Sequence, residues 1–113
     1  MKNNINEYSI YLSEDLRIRA WMLGAPIDVK IGTSGVEWIA PVTAEQLFGW
    51  LKDKHKFLKI DIKNIKNNCY TYITFVNEDV IYGNEYEKYD ATLIDALTKI
   101  INHMENKYKN DCI

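Results

Sequence analysis

The chain has 113 residues, 47% hydrophobic and 12% aromatic, which is material for one core and too little for two independent domains. Its net charge of -2 gives no general attraction to nucleic acid. No run of about 18 apolar residues and no basic start leading into an apolar stretch marks a membrane span or a secretory signal, so an intracellular protein is expected.

Residues 1–7 are polar and are expected to form a flexible start, apart from whatever Ile5 touches. Tyr8 to Leu12 reads as a short strand or an extended approach. Ser13 followed by Glu14 and Asp15 predicts a helix start, with a hydroxyl cap and two acids in the positive first turn. Leu16, Ile18, Ala20, Trp21, Met22 and Leu23 are too many apolar residues for a narrow stripe. They imply burial on more than one side, or a Trp21 or Met22 offered to a partner. Gly24, Ala25 and Pro26 stop the helix.

Two strands, Ile27–Ile31 and Val36–Ala40, are expected to form a hairpin about a four-residue turn, Gly32–Gly35. That turn lacks the lysine and following helix of a phosphate-binding loop, and Ser34 has no histidine or acid at the spacing of a nucleophile.

Pro41 to Lys63 carries the densest signals. Thr43 and Gln46 form a capping box, with Val42 and Leu47 placed as a hydrophobic staple. Leu47, Phe48, Trp50 and Leu51 give a helix face expected to be buried, and Lys52, Lys54, His55 and Lys56 crowd its end, where cations meet exposed carbonyls. The period then changes to two: Leu58, Ile60 and Ile62 alternate with Lys59, Asp61 and Lys63, predicting a half-buried strand. A polar connection, 64–68, leads to Cys69–Val76, rich in β-branched and aromatic residues and expected as a central strand with Ile73 and Phe75 on one face and Tyr70 and Tyr72 on the other. Asn77 to Asp79 turns the chain into a short strand, Val80–Tyr82. Asp90 is expected to cap a last helix with Leu93, Leu97, Ile100, Ile101 and Met104 on its apolar side, and 107–113 reads as a flexible tail. The fold class is therefore α+β: one domain over 1–113, with a small antiparallel sheet of three or more strands packed against about three helices.

Chemistry-bearing residues are sparse. Cys69 and Cys112 form no recognisable disulfide framework, and neither His55 nor His103 has a ligand partner at metal-binding spacing. No cofactor, metal or enzymatic activity is expected. The charges are uneven: residues 67–113 carry four Lys against eight Asp and Glu, whereas 31–66 carry six Lys against four acids. Within the acidic part, Glu78, Asp79, Glu85, Glu87 and Asp90 interleave with Tyr82, Tyr86 and Tyr89. Tyrosines supply rigid contact area and carboxylates meet Arg and Lys, so Glu78, Asp79, Tyr82, Glu85, Tyr86, Glu87 and Tyr89 are the candidate protein-binding residues. The other reading is that the tyrosines lean on the core and the acids keep a loop solvated. A basic run, Lys52 to Lys59 with Trp50 and Phe57, is the weaker candidate for nucleic-acid phosphate, with too few cations for that task.

Residues 38–102 carry a resemblance. Trp38, Ala40-Pro41, Trp50-Leu51-Lys52-Asp53-Lys54-His55, the YTYITF strand and Tyr89-Asp90-Ala91 with Ala96-Leu97 resemble a set of small bacteriophage and prophage proteins, especially of the Bacteroides group. Val42 stands as an insertion between Pro41 and Thr43, and Lys56 replaces the asparagine that usually follows the histidine. The motif carries no catalytic residue. What the resemblance implies is a protein of the bacterial host cytoplasm that binds a host protein, with inhibition of a nucleic-acid-targeting defence effector, a CRISPR ribonucleoprotein for example, as the leading expectation. An accessory phage protein with a structural or regulatory interaction is the alternative.

Overall fold

The computed structural model describes residues 10–54, 58–67 and 69–111, and among them the chain forms three helices and five strands in the expected order of helix, hairpin, helix, three strands and helix. The architecture is α+β, with two small antiparallel sheets of two and three strands.

The first helix, α1 (Glu14–Met22), starts where Ser13 Oγ accepts from the Leu16 amide at 3.2 Å. It ends in a Schellman turn: Gly24 takes φ +105, its amide bonds Trp21 O, and the Ala25 amide reaches back to Ala20 O. Leu16 and Ala20 are buried, Trp21 is half-buried and Met22 is 74% exposed, so one narrow stripe suffices to hold the helix. Strands β1 (Val29–Gly32) and β2 (Gly35–Ile39) form the hairpin. Gly32 pairs with Gly35, so the turn is Thr33-Ser34 and not the expected four residues, and a bulge between Lys30 and Ile31 shifts the register. Arg17 ties the base of this hairpin to α1 by donating Nη1 to Ile39 O at 2.9 Å and Ala40 O at 3.1 Å.

Helix α2 (Ala44–Lys54) opens on the capping box: the Thr43 amide donates to Gln46 Oε1 at 2.9 Å and the Gln46 amide to Thr43 Oγ1 at 3.2 Å. Ala44, Leu47 and Leu51 are buried, while Phe48 and Trp50 are only half-buried. Lys52 and Lys54 lie over the Phe48 and Trp50 rings at 5.4 and 5.7 Å, so these cations are engaged by rings. His55, Lys56 and Phe57 lie outside the described residues, as do residues 1–9, Asn68 and Cys112. The expected strand at 8–12 is, in its described part, a single bridge of Tyr11 with Thr43, which carries Ile10 and Leu12 into the core.

Strands β3 (Lys59–Lys66), β4 (Cys69–Val76) and β5 (Asp79–Tyr82) make the larger sheet, with β4 central. Helix α3 (Tyr89–Asp111) covers one face of it. The first helical bond joins the Thr92 amide to Lys88 O, so Asp90 belongs to the first turn and is not the cap; its Oδ1 is buried without a partner. The helix continues to Asp111, through most of the stretch expected as a tail. Leu16, Leu47, Leu51, Leu58, Val76, Leu97, Ile100 and Ile101 meet in one core between the helices and the sheet. Arg19 pins α1 to α3: its Nη2 donates to Glu105 Oε1 at 2.7 Å and to Asn102 Oδ1, and its Nε to Glu105 Oε2 at 3.1 Å.

Candidate protein-binding surface at the sheet end

Alternation along β4 divides its side chains between two environments. Tyr72, Thr74 and Val76 face the helices and are fully covered, whereas Ile73 and Phe75 lie half-exposed on the opposite face. Tyr72 does more than lean on the core: its hydroxyl donates to Asp95 Oδ2 on α3 at 2.6 Å. Burial first, and then the Asp95 carboxylate, raise the Tyr72 phenol above its usual range; for Tyr86 the Asp95 carboxylate is the larger cause of a rise.

The segment after β5 is braced at several points. The Tyr70 and Tyr86 amides exchange bonds with each other's carbonyls at 2.7 and 2.8 Å, Thr71 Oγ1 donates to Gly83 O and Asn84 O, and the Gly83 amide donates to Tyr72 O at 2.9 Å. Gly83 has to be glycine, because an added Cβ would stand 2.1 Å from the Tyr72 ring. Tyr89 meets the Tyr70 ring edge to face, with centroids 6.1 Å apart. The Cys69 thiol donates to Glu85 Oε1 at 3.4 Å, and desolvation together with that carboxylate raises its pKa. Such a thiol is poorly suited to act as a nucleophile.

These contacts spread the seven candidate residues along the length of β4. Asp79 pairs with Val76 and Tyr86 with Tyr70, at opposite ends of β4 and about 20 Å apart at the rise of a strand. Glu78 and Asp79 sit at the Asn77 turn, where Asn77 takes φ 59 and Asp79 Oδ2 lies 3.1 Å from His103 Nε2. His103 thus faces Asp79, while its helix neighbour Glu105 is taken by Arg19. Glu85, Tyr86, Glu87 and Tyr89 gather at the other end, while Tyr82, opposite Ile73, stands midway between the two. Tyr86 is half-buried, which leaves Tyr82 (73% exposed), Tyr89 (46% exposed), Glu85 and Glu87 open to solvent. Tyr86 leans inward, and the other two tyrosines do not.

Sequence reasoning missed what lies beside Tyr82. Cross-strand pairing sets Tyr82 against Ile73 and Val80 against Phe75, which makes an apolar strip on the sheet face away from the helices. Its signal is the mixed character of both faces of CYTYITFV, but the β5 partners become adjacent only through the sheet. Of two concavities, one of about 240 Å³ lies between Pro26, Pro41 and Trp50, and one of about 420 Å³ lies between Phe48, Ile60, Leu93 and the candidate residue Tyr89. Among the described residues no group of three or more His, Cys, Asp or Glu is placed to hold a metal ion, and no helix is long and apolar enough to cross a membrane. No family model matches the chain, and neither a curated protein nor a solved structure matches it.

Proposed function

We propose that this chain is a non-enzymatic binding protein of a phage or mobile element, which inhibits a host nucleic-acid-targeting defence effector by docking on a basic surface of it. The observation that carries this reading is the braced end of the larger sheet. There Glu85, Glu87 and Tyr89 stand exposed about the Tyr70–Tyr86 bridge, and on the sheet face away from the helices the exposed Tyr82 continues into an apolar strip of Ile73, Phe75 and Val80. Rigid tyrosines lose little conformational freedom on binding, and carboxylates at the rim steer and orient a cationic partner. The resemblance to phage and prophage proteins supports the choice of a host effector as partner.

The test is capture from bacterial lysate with the tagged chain and with a Glu85→Lys/Glu87→Lys/Tyr82→Ala variant, followed by an activity assay on whatever the wild type alone retains. The expected partner is a nuclease or ribonucleoprotein that is released by salt, lost with the variant and inhibited by the wild-type chain. A retained protein that binds both forms equally, or whose activity is unchanged, counts against the reading.

A further inference from the structure

Among the described residues β3 pairs with β4 alone, so its other edge presents unpaired amides and carbonyls. Beside that edge runs the larger concavity, about 420 Å³, lined by Ala44, Phe48, Ile60, Ile62, Tyr89 and Leu93. Ile60 and Ile62 pair with Thr74 and Tyr72, both buried, and so belong to the helix-covered face; Lys59, Asp61 and Lys63 alternate onto the other. We infer that this edge is the docking site for a second copy of the chain, β3 against β3 in antiparallel pairing, which joins the two three-stranded sheets into one of six strands.

Charge selects both the occupant and the register. In a two-fold pairing, residues directly opposite must lie on the same face. Centring on Ile62 sets Asp61 opposite Lys63 of the second copy, twice by symmetry, and Ile60 opposite Asn64. A slip of two residues one way sets Asp61 against Asp61 and Lys59 against Lys63; a slip the other way sets Lys63 against Lys63. Both oppose like charges. Centring on Ile60 would pair Lys59 with Asp61, but it draws on Leu58, which precedes the strand and is already buried in the core. The regular ladder on the C-terminal side of Ile62 ends at Asn64, where the register shifts, so the span 60–64 is symmetric about Ile62. Edge lysines ordinarily discourage strand addition. Here Lys63 discourages the wrong registers and favours one. Tyr82 and its apolar strip lie toward β5, the opposite edge of the sheet, and stay free in such a dimer, whereas Tyr89 lines the concavity beside the paired edge.

The test is sedimentation equilibrium of the full chain up to about 1 mM. Wild type is expected to move from 13.3 kDa toward twice that mass as concentration rises. Asp61→Lys and Lys63→Asp should each weaken self-association about tenfold or more, by opposing like charges twice. Mixing the two variants should restore association as a heterodimer, since each then meets its opposite. A monomer at every concentration, a dimer indifferent to Lys63→Asp, or a mixture that stays monomeric would each overturn the inference. Amide exchange in wild type supplies a check free of any substitution. Protection along β3 should grow with concentration, and exchange that is the same at all concentrations overturns the pairing.

Discussion

Tyr72, 1% exposed at the centre of the larger sheet, donates its hydroxyl to Asp95 of α3 at 2.6 Å, a single bond that joins the sheet to the helix covering it. The same carboxylate also raises the Tyr86 phenol above its usual range.

Tyr72→Phe is expected to cost about 1.5–3 kcal/mol in urea unfolding, the range for losing a buried hydrogen bond to a charged acceptor. The pH dependence has a definite sign. The folded-state pKa of Tyr72 is raised above the ordinary 10.0, so its contribution is complete below pH 10.0 and is lost as the pH rises above it, where the unfolded chain ionises first. Stability measured by denaturant titration should fall above pH 10, and less steeply in Tyr72→Phe. An identical alkaline slope in both proteins would contradict this assignment.

Gly83→Ala should destabilise the fold by about 1–3 kcal/mol through overpacking, because its methyl would overlap the Tyr72 ring. Thermal unfolding reads this directly. The same change at Gly49, where an added Cβ meets nothing within 4 Å, should leave stability unchanged or raise it slightly, since the site is helical.

The Arg19–Glu105 pair predicts an acid limb. Its hydrogen bond with Arg19 holds the Glu105 carboxyl below its ordinary 4.5. The stability this confers is present above pH 4.5 and is lost as the pH falls through the lowered value. Glu105→Gln should flatten that part of the acid denaturation curve and cost at most about 1 kcal/mol at neutral pH, because both side chains are partly open to water. A full acid limb in Glu105→Gln would assign it to another carboxylate.

Leu97→Ala should cost about 2–5 kcal/mol, as truncation of a fully buried leucine does. Trp50→Ala should cost less than a core tryptophan would, because Trp50 lines the smaller concavity and is only half-buried. Equal losses at the two sites in chemical denaturation would show that Trp50 carries more of the core than its exposure indicates.

Local chemistry was enough to place the Ser13 cap, the Thr43–Gln46 capping box, the stop at Gly24 and the alternating strand from Lys59, because each depends on residues within a few positions of one another. It also marked Tyr82, Glu85 and Glu87 as surface chemistry. Only the tertiary structure decided that Glu78 and Asp79 stand at the far end of the sheet from Glu85 and Glu87, with Tyr82 between, since strand register, set by long-range pairing, converts nearness along the chain into distance. The inward turn of Tyr86 toward Asp95, the apolar strip beside Tyr82 and the open edge of β3 have the same origin. Each depends on which strand or helix becomes a neighbour, and burial of the shared core makes that choice.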